Sequence, residues 1–138
     1  NTDEGKIVGM EFDLRKGLGH NSVLTLSCHY LEGEDESGTA LHDVAPIILN
    51  VALEYLGLHW RDYLLYEYRF ARRDVAPTEQ AVERAKLLSA KLSWQLGSRT
   101  TVSVWGRNLL DDVYWISTDP LSTRGEERAF GLHLGWRQ

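Results

Sequence analysis

The 138-residue chain holds a single cysteine, Cys28. One thiol excludes an internal disulfide and any zinc cluster built from several thiolates. Positive charge is also scarce: 15 Lys and Arg stand against 20 Asp and Glu, a net charge of -5. Nucleic-acid binding draws on a basic face, so a nucleic-acid partner is not expected. No run of about 18 apolar residues occurs, so there is no transmembrane helix. That lack leaves a membrane open, because a barrel strand of about 10 residues crosses with only alternate positions apolar. No secretory leader precedes Asn1, which suggests a piece of a longer protein or a processed product.

Catalytic signatures are wanting too. There is no glycine-rich phosphate loop, and Ser, Cys and His form no nucleophile pattern. His20, His29, His42, His59 and His133 lack metal-ligand spacing; His29, His59 and His133 read as hydrogen-bonded residues on polar strand faces. Asp111 and Asp112 read as exposed turn residues rather than an acid–base pair. The acidic run Glu34-Asp35-Glu36 offers oxygens of the kind calcium takes, but its spacing fits no calcium loop and a solvated loop is the preferred reading. No enzyme activity, metal or cofactor is expected.

What the chain has is alternation. Val8, Met10, Phe12 and Leu14 oppose Ile7, Gly9, Glu11 and Asp13 within Lys6–Leu14. Leu24, Leu26, Cys28 and Tyr30 do the same within Ser22–Leu31, and Ile47, Leu49, Val51, Leu53 and Tyr55 within Pro46–Leu56. Leu58–Phe70 places Trp60, Leu64, Tyr66, Tyr68 and Phe70 on one face, with His59, Arg61, Glu67 and Arg69 on the other. Asp62 interrupts the apolar row near the strand end. Period-two patterning is the signature of a half-buried strand. Glu79 to Leu92 is ambiguous, since Ala81, Ala85, Leu88 and Leu92 are spaced for a helix and the composition favours one. Its position between alternating segments that need a paired neighbour selects a strand over Ala85–Leu96, with a helical turn allowed before it. Thr100–Arg107 and Arg128–Trp136 complete seven strands.

Connections alternate in length. Short turns lie near Gly17, Gly57 and Gly97; long polar loops cover Glu32–Asp43, Ala71–Arg84 and Ser117–Glu127. Outer-membrane barrels have short periplasmic turns and long extracellular loops, with aromatics near both strand ends. Trp60, Tyr66, Tyr68, Trp94, Phe130, Leu132, Leu134 and Trp136 are expected in one outward apolar belt. Arg61, Glu67, Arg69, Lys91 and His133 are expected on the opposite, concave side, by the fixed alternation of side chains along a strand.

The end of the chain adds a motif. Thr100–Arg107 runs into Asn108-Leu109-Leu110-Asp111-Asp112-Val113-Tyr114, and Phe130, Leu132, Leu134 and Trp136 share a face of the last strand. This pair of segments resembles the C-terminal end of TonB-dependent outer-membrane receptors, whose penultimate strand runs into Asn-Leu-(Phe/Leu)-Asp-x-x-Tyr. The resemblance implies that residues 1–138 are the C-terminal part of the β-barrel of such a receptor, without its plug domain and earlier strands. The fold would be all-β, an antiparallel up-and-down meander of about seven strands that forms a segment of a larger transmembrane barrel. It further implies the outer membrane of a Gram-negative bacterium, and TonB-dependent uptake of a scarce ligand such as an iron chelate. The implied partners are outer-membrane lipid, the plug, the remaining barrel strands, and TonB through the missing N-terminal part. Arg61, Glu67, Arg69 and Arg107 would then be lumen residues facing plug side chains or an anionic ligand. The other reading is a soluble all-β domain binding a small ligand or a protein, because the same alternation arises when the apolar face is a core.

Overall fold

The computed structural model describes residues 4–137. It contains seven strands: β1 (Gly5–Gly17), β2 (Ser22–Asp35), β3 (Ile48–Leu56), β4 (Trp60–Arg69), β5 (Ala85–Leu96), β6 (Thr100–Arg107) and β7 (Ala129–Trp136). They form one antiparallel sheet in the order β1-β2-β3-β4-β5-β6-β7, each strand pairing with its neighbours in sequence. The fold is therefore the all-β meander expected. Among the described residues the sheet is open, with β1 and β7 each pairing on one side.

The ambiguous segment is strand from Ala85 onward, as expected. β5 pairs with β4 from Arg69↔Ala85 to Trp60↔Trp94, and with β6 from Ala90↔Gly106 to Leu96↔Thr100. A helix here would leave the facing edges of β4 and β6 without partners, and backbone groups removed from water must be paired. The pairing outweighs the local helix preference. The helical turn allowed before β5 does not form; Pro77 and Thr78 make a simple turn.

Two strands exceed their sequence bounds. β1 and β2 pair from Gly5↔Asp35 to Gly17↔Val23, so the first part of the expected loop at Glu32 is strand. Alternation marks a strand only where one face is taken out of water. Glu32 and Glu34 lie beyond that zone, and backbone pairing continues without a side-chain pattern. Gly19 and Gly97 supply the positive φ angles, 81° and 67°, of two of the short turns, conformations that a Cβ disfavours.

Register sorts the side chains. One cross-strand row runs Lys16, Leu24, Leu53, Leu64, Ala90, Gly106, Phe130 through all seven strands. The same face carries Trp60, Tyr66, Tyr68, Trp94, Leu132, Leu134 and Trp136. No described residue covers it along β7, where Phe130, Leu132 and Leu134 are 69%, 72% and 68% exposed. Trp60 and Trp94 stack with ring centroids 5.0 Å apart. Asp62 also lies on this face, opposite Tyr55 and Leu92, and its Oδ1 is buried without a hydrogen-bond partner among the described residues.

The opposite face carries Arg61, Glu67, Arg69, Lys91, Arg107 and His133. Here the buried residues are small or sit beneath the loops: Ala52, Ala85, Leu87 and Ser103 on strands, with Val44, Ala76, Val82 and Thr118 from the loops. The apolar interior is thus a loop layer at one end of the polar face. The apolar face itself has no packed counterpart among the described residues.

Candidate functional site

The polar face has two ends. Arg61 stands near the short turns and Arg69 at the long loops, eight residues along β4, which separates them by roughly 27 Å. Arg61, Glu67, Arg69 and Arg107 share this face without forming one cluster.

At the loop end, Arg69 is held twice. Its Nε donates to Glu67 Oε1 at 2.6 Å, and both side chains are about four-fifths buried. Its guanidinium also lies 4.7 Å from the centre of the Tyr114 ring. Tyr114 in turn covers Gly125, where any Cβ would fall 2.0 Å from the ring. Arg107 pairs with Glu126 at 3.2 Å, but both groups are more than half exposed. These two arginines therefore contribute unequally. We expect Arg69→Ala to destabilise the folded protein by about 1–3 kcal/mol, since it leaves the largely buried Glu67 carboxylate unpaired. Arg107→Ala is expected to cost less than about 1 kcal/mol. Urea titration of the two variants beside the parent checks the order; equal midpoint shifts would refute it.

The Asn-Leu-Leu-Asp-x-x-Tyr run is a structural knot. Asn108 ends β6 with φ 44° and is 5% exposed. Its Nδ2 donates to the carbonyls of Asp112 at 2.9 Å and Glu126 at 3.0 Å, and its Oδ1 accepts from the Asp112 N–H at 3.1 Å. The Asp112 carboxylate accepts from the Lys86 N–H at 2.8 Å, at the start of β5. The Leu109 N–H donates to the Leu88 carbonyl, which continues the β5–β6 pairing past Arg107. The motif thus turns the chain away from β6 and ties the third loop to β5.

One residue joins all three long loops. The Glu79 carboxylate accepts from the Asp43 N–H at 2.7 Å, the Thr118 hydroxyl at 3.0 Å and the Ala76 N–H at 3.3 Å. Burial opposes its ionisation, but the donors from Asp43, Thr118 and Ala76 outweigh burial and hold its carboxyl below the usual glutamate range. Arg72 and Val82 bridge the second loop to itself, and the Gln80 N–H donates to the Thr118 carbonyl at 2.8 Å. The result is an ordered cap at one end of the sheet. Asp35 serves its own turn: Oδ1 accepts from the Ser37 N–H, the Ser37 hydroxyl and the Thr39 N–H. Among the described residues no three His, Cys, Asp or Glu side chains are gathered as a metal site requires.

At the short-turn end lies a small polar basin of about 150 Å³, lined by Arg61, Arg99, Arg137, His59, Ser93 and Thr101 among others. Of these residues the sequence reading had singled out only Arg61 for a site. Arg99 belongs to a turn and Arg137 follows the last strand, and neither position carries alternation. Their proximity comes from the antiparallel return, in which the Arg137 N–H donates to the Arg99 carbonyl at 2.9 Å.

No protein-family model and no curated protein sequence matches the chain. Among solved structures it is similar to the copper transporter OprC, with a TM-score of 0.85 and 16% sequence identity. The match covers 97% of this chain and 23% of that one, so this chain spans less than a quarter of that protein's length. The likeness establishes the fold: the seven-stranded meander occurs as part of the larger transporter.

Proposed function

We propose that the chain is the C-terminal part of the β-barrel of a TonB-dependent outer-membrane receptor, residues 1–138 forming barrel wall and external loops. The observation that carries this reading is the uncovered apolar face. It spans all seven strands, and Phe130, Leu132, Leu134 and Trp136 are more than half exposed along the last one. Large contiguous apolar surface is rare on soluble monomers, whereas lipid is the natural cover for one face of a barrel. Three further features support it: the Asn108 to Tyr114 run, the alternation of short turns with capped loops, and the fold shared with part of a transporter.

In this reading the polar face is the lumen wall. The loop cap faces outside, and the remaining strands and a plug domain complete the receptor. Transport then depends on TonB acting through the N-terminal part, and this segment holds no catalytic role. The cargo is a scarce metal species such as an iron chelate, with Arg61, Glu67, Arg69 and Arg107 on the wall beside plug or ligand. Copper is a second cargo reading, favoured by the similar transporter. Against a bare soft ion, the sulfur ligands Met10 and Cys28 both sit on the apolar face, away from the lumen.

Fractionation of cells producing the full-length protein tests the class. The protein should sediment with outer membranes, resist salt and carbonate washes, and enter solution only with detergent. Recovery in the soluble fraction as a detergent-free monomer would instead establish a soluble all-β binding domain.

A further inference from the structure

Charge is divided between the two ends of the sheet. At the loop end four arginines have carboxylate partners, Arg69 with Glu67, Arg73 with Glu83, Arg107 with Glu126 and Arg128 with Asp111, while Arg72 donates to the Leu31 carbonyl and Arg124 lies over the Trp115 ring. At the short-turn end, Arg61, Arg99 and Arg137 have no ion-pair partner among the described residues, yet they line one basin. In a chain of net charge -5, this is a concentrated positive pole.

The basin has a built shape. Its lining includes the small polar residues Ser93, Ser98 and Thr101, and Ser93 Oγ is fixed by the hydroxyl of Ser103, its cross-strand partner on β6, at 2.9 Å. Thr101 and Gly135 form the next cross-strand pair towards the turns. Small floor residues let the longer cationic side chains of Arg61, Arg99 and Arg137 stand around a hollow. Lys91 extends the positive lining towards the middle of the face, with His133 beside it. The carboxylates nearby are few. Glu54 and Asp62 border the wider hollow beside it, Asp62 from a strand position on the apolar face, and neither lines the basin itself.

We propose that this basin binds an oxyanion, held by the guanidinium groups of Arg61, Arg99 and Arg137 over the Ser93–Thr101 floor. Guanidinium forks match carboxylate and phosphate oxygens with two parallel hydrogen bonds. Three of them on one side of a sheet repel one another until an anion sits between them. The volume admits one phosphate-sized group or one carboxylate side chain with a few waters. The oxyanion comes either free from solution or as a carboxylate from another part of the same protein. The proposal uses the reading of this face as a lumen only to bring that second source within reach. Loss of outer-membrane location with phosphate binding intact would therefore remove the receptor reading and leave the basin.

The test uses the full-length protein in detergent, with inorganic phosphate as the free probe. Calorimetry should give millimolar or tighter binding in the parent and at least tenfold weaker binding in the double variant Arg99→Gln/Arg137→Gln. That outcome identifies a free anion. A Thr101→Cys reporter in a Cys28→Ser background reads the other source. If the parent takes no phosphate, the reporter thiol should be shielded from a charged maleimide and react at least tenfold faster in the double variant. That outcome identifies a carboxylate already seated in the basin. Arg61→Gln replaces the double variant if the latter fails to fold, with the same expectations. Phosphate binding indifferent to all three arginines overturns the proposal. So does absence of phosphate binding with equal labelling in parent and variant.

Discussion

Leu134→Arg in the full-length protein should sharply reduce the folded, membrane-inserted form, while His133→Arg, one residue away, should leave most of it. Leu134 stands on the uncovered apolar face, paired with Val102 and bracketed along β7 by Phe130 and Trp136. His133 pairs with Ser103 on the polar face. An arginine in the middle of a lipid-facing surface costs about 2–4 kcal/mol, a roughly 30- to 700-fold shift in the folding equilibrium. The same side chain on the polar face keeps its water, and the expected cost is below about 1 kcal/mol. Heat-modifiable mobility of the two variants, extracted from outer membranes, gives the folded fractions. Equal loss in both would show that the two faces do not differ in environment. Equal survival would show that the apolar face meets water or a tolerant partner instead of lipid.

Much of this contrast is legible in the sequence. A strand's side chains alternate strictly, so once Leu132, Leu134 and Trp136 were set on one face, His133 had to lie on the other. Antiparallel pairing of β1 with β2, β3 with β4 and β5 with β6 follows from turns too short for any crossover. The β5 segment shows where the local signal fails. Ala81, Ala85, Leu88 and Leu92 suit a helix, yet residues from Ala85 onward are drawn into the sheet by partners on both sides. Helix propensity differs by only tenths of a kcal/mol per residue, and an unpaired strand edge on each neighbour outweighs it.

The site was less legible, for a different reason. Arg69 and Glu67 were visible as neighbours on one strand face, but Tyr114, which carries the other side of Arg69, lies 45 residues further along the chain. Glu79 looked like one more loop carboxylate. Its role depends on Asp43 and Thr118, which are 36 and 39 residues distant. Arg99 and Arg137 carry no such signal, because a turn and the position after a strand have no periodicity. Alternation reports the environment of a face, and it carries no information on which loops meet above it.

The motif at Asn108 yields the second large effect. Asn108→Ala should destabilise the fold by about 3 kcal/mol. The loss has two parts. Removing the amide leaves the Glu126 and Asp112 carbonyls and the Asp112 N–H without their present partners, and a buried group left unpaired costs about 1–3 kcal/mol. Alanine must also hold the positive φ of 44°, at about 1 kcal/mol relative to residues that accept that region readily. Asn108→Gly removes the second part and should recover roughly 1 kcal/mol. Asn108→Asp keeps the acceptor for the Asp112 N–H but sets a carboxylate against two carbonyls, so it should behave no better than alanine. The damage should spread in one direction. Glu126 lies three residues before β7, and the Asn108–Glu126 bond fixes where that last strand begins. β7 is an edge strand in this sheet, and a sheet inside a bilayer must have its edges paired. In the proposed receptor, a loosened entry to β7 therefore weakens the strand on which closure of the larger barrel depends. Limited proteolysis across residues 115–128 in the Asn108→Ala protein should show early cleavage there, with the loop between β2 and β3 still protected by Glu79. Uniform cleavage of all three loops, or none, would show that Asn108 does not hold β7 in place.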